Sequence, residues 1–346
     1  MSIRSERLSE VLPCAAHFLV DFVCTALLTA ACVGDRAVSV IVCALVYNGC
    51  SFAMQLLIGV LADRLSLRHA LAAAGCCVVA LCSRITAPLL LCVGIGLGNA
   101  CFHVGAGRDA LLRGGKHAAQ VGRFVAPGAL GIFLGPFAAS IVWLARYAAP
   151  LLLVGCAVLF FLQNEDAPQL PAPLSLNRLK RAALSVCIFL TVLLRSYMGT
   201  VTRYAELSIP AFAAAMTGCV FLGKLFGGSI ADRFGAFRFQ LPAQIVGTAL
   251  FALSVWYPIL GLPAMFLFNT TMAVTVHALW RAAPAHAGAV FGLTTLALYL
   301  GALPRLLRAP NPLFTAWGLT LVGSVSAATL LLALHIVRKE DVRHDR

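Results

Sequence analysis

The chain has 346 residues, of which 61% are apolar and only 11% charged, and it carries a formal net charge of +13. Soluble domains carry about 25% charged residues, so this chain has too little polar surface to face water on all sides, and lipid is its main solvent. Its basic residues fall between apolar runs and are not interleaved with aromatics, which excludes a nucleic-acid interface and fits the loops of a membrane protein.

Backbone groups in lipid must bond within helices or a closed barrel. The apolar runs here are about twenty residues long and show no period-two alternation, so an all-α integral membrane protein is expected. In chain order the runs cover 11–31, 38–61, 69–84, 86–106, 118–142, 147–163, 182–201, 207–230, 239–257, 259–280, 287–304 and 313–337, about twelve spans in all. The first run follows Arg4 and Arg7 and has the outline of a signal peptide, with a lipoprotein-like site at 28–32. His17 and Asp21 interrupt it, and it is long enough to span, so it reads as a retained first helix.

The longest connection, 163–181, contains Pro168, Pro171 and Pro173 and ends in Arg178, Lys180 and Arg181. It predicts an N-terminal unit at 1–163, a linker at 164–181, a C-terminal unit at 182–337 and a tail at 338–346. Seventeen of the 26 Lys and Arg residues fall on the side of both termini and this linker, six on the other side, and Arg123, Arg195 and Lys224 within spans. The positive-inside rule then places both termini in the cytoplasm of a cell-membrane protein. The thirteen cysteines lie mostly inside spans without metal-ligand spacing and read as small apolar side chains.

The two halves repeat. Gly59, Val60, Leu61, Ala62, Asp63 and Arg64 follow the second span, and Gly228, Ser229, Ile230, Ala231, Asp232 and Arg233 follow the eighth, 169 residues later. Gly122 and Gly131 recur as Gly292 and Gly301 at a spacing of 170. At a spacing of 174, His103 (in Asn99-x-x-x-His103) pairs with His277, and Asp21 pairs with Arg195. Parallel repeats of six spans, with a site near the midplane between them, are a transporter architecture.

With these features the chain resembles the major facilitator superfamily. Both copies of the loop beginning at Gly59 and Gly228 match that family's motif, although Ser66 replaces its usual Gly and the second copy has Arg238 one place late. Gly122, Gly131, Gly135 and Pro136 resemble its antiporter-associated fifth-span motif, whose last Gly is here Ala139. Such small residues allow close helix packing, and the proline bends the helix. His17 to Phe22, Gly98 to His103, Gly114 to His117, and Arg195 with Ser196 resemble the fosmidomycin-resistance-type branch, with Val104 in place of its usual Pro. The resemblance implies two pseudo-symmetric six-helix bundles, alternating access and proton-coupled efflux of a small molecule. It also implies that Gly59, Asp63, Arg64, Arg68, Gly228, Asp232 and Arg233 act as a conformational latch, for which plain topogenic charge is the bland alternative.

Asp21 is the only carboxylate near the middle of a span, and insertion of such a charge costs about 2.5–3.5 kcal/mol. His17 lies one turn earlier on the same face. The pair reads as a proton-coupling site or as a packed polar pair. Arg195 is expected to pair with Asp21 across the cavity, to bind an anionic substrate through its planar fork, or to make a structural ion pair. Lys224 either lines the cavity or snorkels, and Arg123, one turn inside its span, has the same two options. His103, His277 and Asn99 are further cavity candidates. A metal at these histidines would need more ligands, so no metal and no cofactor is expected.

The expected partners are a small anionic or zwitterionic molecule, protons and the lipid bilayer, and a monomer is expected. An importer with the same fold, and a non-transporting receptor or scaffold, are the alternatives. A membrane-embedded enzyme has no nucleophile arrangement or metal cluster to support it.

Overall fold

A computed structural model describes residues 3–34, 39–65, 69–163, 170–201 and 204–344. Arg68 of the expected latch, with Arg36, Ser66, Pro168 and Arg203, lies outside the described residues. The described chain is helical. In order, α1 is Ile3–Gly34, α2 Val40–Arg64, α3 His69–Cys82, α4 Pro88–Gly114, α5 Ala119–Ala138 and α6 Leu144–Phe161. After the linker come α7 Arg178–Val201, α8 Pro210–Phe234, α9 Ala236–Leu253, α10 Pro258–Ala282, α11 Ala287–Leu306 and α12 Ala316–His344.

Local sequence sets the boundaries. Pro88 and Pro210 open α4 and α8, where the missing N–H has no helical partner to lose and the preceding residue is held extended. Ser39 caps α2 by accepting from the Ile41 N–H at 3.3 Å. Gly235, at φ +87, makes the turn between α8 and α9 that a side chain would strain. Pro127 and Pro136 lie inside α5.

Among the described residues, ten helices are long and apolar enough to cross a membrane, against about twelve expected spans. The two exceptions have identifiable causes. α3 has only 14 residues, about 21 Å at 1.5 Å per residue. α9 carries Arg238 and the fully buried Gln240 and Gln244, which lower its apolar character while they face other helices.

Packing falls into two sets. In the first, α1 lies along α5, α4 packs against α1, α2 and α3, and α6 packs on α3. In the second, α7 packs against α11 and α12, and α10 against α8 and α9. The sets meet where α5 lies on α8 and α2 on α11. Glycines make both junctions: a Cβ on Gly122 would run into the Lys224 carbonyl at 2.6 Å, and one on Gly228 into the Ala118 carbonyl at 2.6 Å. At the second junction Gly59 meets Gly288, and Gly292 meets Gln55. The linker is seated on the second set through a Leu174 N–H to Arg281 carbonyl bond of 3.1 Å and a Lys180 to Glu340 contact of 2.6 Å.

Gly131 and Gly135 act within the first set instead. A Cβ on Gly131 would strike the backbone of Phe18 and Phe22, and one on Gly135 the Thr25 hydroxyl and the Phe22 carbonyl. Gly131→Leu is therefore expected to lower stability by about 1–3 kcal/mol or more, read as a fall in melting temperature of the detergent-solubilised protein.

Candidate functional site

Asp21 and His17 lie in the middle of α1, and both are buried. Asp21 sits 3.3 Å from His17 Nε2 and 3.8 Å from Nε2 of His103 on α4. The two imidazole Nε2 atoms are 2.9 Å apart. Asn99 Nδ2 donates to Asp21 Oδ1 at 2.9 Å, and the Asn99 carbonyl side-chain oxygen accepts from Ser51 Oγ at 2.5 Å. Tyr47 Oη lies 3.4 Å from Asn99 Nδ2. The sequence reading paired His17 with Asp21 and singled out Asn99 and His103 as a landmark; the structure brings all four together. Tyr47, Ser51 and the backbone of α5 were not foreseen.

The other ring nitrogens decide what the cluster can do. His17 Nδ1 lies 2.6 Å from the Phe124 carbonyl, and His103 Nδ1 lies 2.9 Å from the Asn99 backbone carbonyl. A carbonyl only accepts, so each Nδ1 carries the hydrogen. In the neutral rings both Nε2 atoms then present lone pairs, aimed at each other and at a carboxylate. One proton turns this repulsive contact into an N–H···N hydrogen bond with Asp21 as counter-charge. The three side chains are a buried site for a single positive charge.

Gly128 of α5 closes the cluster, because a Cβ there would collide with His17 Nε2 and Asp21 Oδ2. His17 is pinned through its Nδ1 bond, so it cannot yield cheaply. Gly128→Ala is expected to disrupt the triad and lower any proton-driven flux at least tenfold, measured against flux without a gradient.

A cavity of about 680 Å³ lies on the other face of α5, in the half remote from the basic loops. Ala129, Ile132, Phe133 and Pro136 form one wall, and residues of α7, α8 and α10, with Phe251 of α9 and Leu298 of α11, form the rest. Arg195 and Lys224 both line it, and no carboxylate does. Arg195 is buried and donates to Thr271 Oγ1 at 2.9 Å and toward Met272 Sδ at 2.9 Å. It therefore pairs with α10 and not with Asp21. Lys224 makes no hydrogen bond or ion pair among the described residues, and it interacts electrostatically with Asp21 and Arg195.

Two expected residues lie elsewhere. Arg123 is half exposed at the basic-loop end, near Gln120 and Glu10. His277 lies near the end of α10, bonded to the Gly115 carbonyl at 2.9 Å and sharing a cleft with His117, Asp232 and Arg281. A buried pair that the sequence reading missed, His69 with Asp109 at 2.6 Å, ties α3 to α4.

Asp63 and Asp232, which lie in the last turns of α2 and α8 and not in loops, make matching contacts at the basic-loop end. Asp63 accepts from the N–H groups of Gly288 and Ala289 at 2.9 and 2.8 Å, at the start of α11. Asp232 accepts from those of Ala118 and Ala119, both at 2.9 Å, at the start of α5. Each carboxylate sits at a helix N-terminus, where free N–H groups and the helix dipole favour negative charge. Arg108 Nε lies 3.4 Å from Asp63.

Neither a family model nor a curated protein matches the sequence. Solved structures do match along nearly the whole chain. The E. coli fucose:proton symporter aligns with a TM-score of 0.63 at 14% identity, over 96% of this chain and 98% of that one. The same symporter, described as a major facilitator superfamily transporter in the outward conformation, gives 0.60 at 14% identity, over 96% of this chain and 99% of that one. A bacterial homologue of the iron transporter ferroportin in its outward-facing state gives 0.61 at 15% identity, over 96% and 99%. The fold is the major facilitator fold. These structures are of transporters, not enzymes.

Matching glycine contacts in the two halves indicate which residues correspond. A Cβ on Gly131 would meet Phe18, Asp21 and Phe22, and one on Gly301, 170 residues on, would meet Leu193, Ser196 and Tyr197. The partner of Asp21 is thus Ser196, and the expected pairing with Arg195 is off by one residue, roughly 100° around the helix. Likewise Gly122 meets Lys224 where Gly292 meets Gln55, so Lys224 corresponds to Gln55. At the 170 spacing of the α5 and α11 glycines Asn99 falls on Asn269, which lines the cavity.

Proposed function

We propose that this chain is a secondary active transporter that couples proton movement to transport of a small anionic or zwitterionic molecule. In this reading twelve helices cross the cell membrane as two pseudo-symmetric six-helix bundles, 1–163 and 182–337, joined by the cytoplasmic linker 164–181, with both termini in the cytoplasm. The protein works as a monomer by alternating access. The observation that carries the coupling is the convergence of His17, His103 and Asp21 around a place for one proton, within the apolar body of the fold. The likeness to a fucose:proton symporter supports the same coupling ion.

Substrate charge follows from the cavity, where Arg195 and Lys224 have no carboxylate beside them. Export is favoured by the resemblance of the glycines and proline of α5 to the antiporter motif and of the chain to the fosmidomycin-resistance-type branch. Import is the second reading, supported by the symporter likeness.

The test is a thermal-shift screen of organic anions and zwitterions on purified protein, followed by flux of the hits in proteoliposomes under an imposed pH gradient. Uphill movement of a hit against the proton gradient supports export, and movement with it supports import. Flux indifferent to the gradient overturns proton coupling. Arg195→Gln is expected to weaken binding of an anionic hit at least tenfold, about 1.4 kcal/mol.

A further inference from the structure

Three donor atoms gathered within 4.8 Å of one another suit a metal ion as well as a proton. We propose that His17, His103 and Asp21 form a binding site for one divalent first-row transition-metal ion. The inference stands on the geometry of the triad and does not depend on the transport reading.

The donor set is two imidazoles and a carboxylate, which favours ions such as Fe²⁺, Co²⁺, Ni²⁺ and Zn²⁺ over Mg²⁺ and Ca²⁺, whose sites are built from oxygen. The three ligand atoms lie within 4.8 Å of one another. Two donors each about 2.1 Å from an ion stand about 3.0 Å apart at a right angle and about 3.4 Å apart at the tetrahedral angle. The His17 to His103 separation of 2.9 Å and the His17 to Asp21 separation of 3.3 Å match those edges. The remaining distance, 3.8 Å, runs from His103 Nε2 to the other carboxylate oxygen, Oδ1, while His17 faces Oδ2, so the carboxylate presents one oxygen to each ring.

The surroundings are those of metal-binding histidines. Such rings usually donate their second N–H to a carbonyl or carboxylate, which fixes the tautomer and aims the free nitrogen. Both rings do so here, to Phe124 and to Asn99. Asn99 also holds the carboxylate by donating to Oδ1 at 2.9 Å. Neutral imidazoles and one carboxylate carry a single negative charge against a dication. Lys224 is a cation whose charge bears on both His103 and Asp21 and opposes a bound dication.

The experiment uses full-length, tag-free protein in detergent, titrated with Co²⁺ and with Zn²⁺ by calorimetry, with Mg²⁺ and Ca²⁺ as comparisons. The expected result is one Co²⁺ per chain with ligand-field bands in the visible, displaced by Zn²⁺ and unaffected by Mg²⁺ or Ca²⁺. His17→Gln and His103→Gln should each abolish the bands, and Asn99→Leu should weaken binding about 10–100-fold. Lys224→Gln leaves every ligand in place and should shift the Kd to lower values. No Co²⁺ or Zn²⁺ binding by the unaltered protein overturns the proposal, and so does binding unchanged in both histidine variants. If a histidine variant does not fold, Lys224→Gln decides alone: unchanged or weaker Co²⁺ binding overturns the site.

Discussion

Asp21→Asn is expected to abolish proton-driven flux while leaving the protein folded and able to exchange substrate across the membrane without a gradient. The side chains are isosteric, so packing against Gly128 and Gly131 is preserved. The new amide oxygen accepts from Asn99 Nδ2, as the carboxylate does at 2.9 Å. Its NH₂ then points at His17 Nε2, 3.3 Å away in the native arrangement, and fills the lone pair that otherwise attracts a proton. The cluster loses its counter-charge and its need for a cation in one step. Coupled flux should fall by about 100-fold or more, since one uncompensated buried charge costs at least 3 kcal/mol and each 1.4 kcal/mol is tenfold. The measurement is flux in proteoliposomes with and without a pH gradient, beside equilibrium exchange. Coupled flux equal to that of the unaltered protein removes Asp21 from the proton path. Loss of both activities together with a lowered melting temperature assigns it to packing.

Much of this architecture is written in local sequence. Apolar runs about twenty residues long, the Asp63 and Asp232 motifs and the α5 glycines each answer to a single physical demand, so one sequence shows them. Asp21 and His17 were legible for the same reason, as charge and polarity where lipid solvates neither. What escaped depends on register between distant helices. The orientation of the two imidazoles is set by their Nδ1 contacts, and the partners are backbone carbonyls of Phe124 and Asn99. No residue type announces an available carbonyl. The Asp21 to Arg195 pairing failed because connections of different length shift the spacing between repeats, from 169 at Asp63 and Asp232 to 175 at the α1 and α7 surfaces that face Gly131 and Gly301. A one-residue error in a helix turns a side chain to another face. The repeat is broken at Asp21 against Ser196 and at Lys224 against Gln55.

Asp63→Ala and Asp232→Ala are each expected to shift the balance between the two access states by about 100-fold or more toward the state open at the basic-loop end. Each carboxylate accepts two backbone N–H bonds of 2.8–2.9 Å from the helix across the junction. Hydrogen bonds to a charged group contribute about 1.5–3 kcal/mol apiece, so one aspartate holds its junction with at least about 3 kcal/mol. The bonds run between α2 and α11 and between α8 and α5, across the main surfaces where the two sets meet, so their loss is expected to destabilise this state and not the other. Folding within each set depends on other contacts, such as Gly131 on α1, and is expected to survive. Hydrogen exchange reads the effect where it arises. In Asp232→Ala the amides of Ala118 and Ala119 should lose protection, and in Asp63→Ala those of Gly288 and Ala289. If each variant also loosens the junction it does not touch, the two latches share one conformational equilibrium. If protection is unchanged at all four amides, the aspartates serve only to set charge at the loops, and the closed end must be held by the glycine contacts alone.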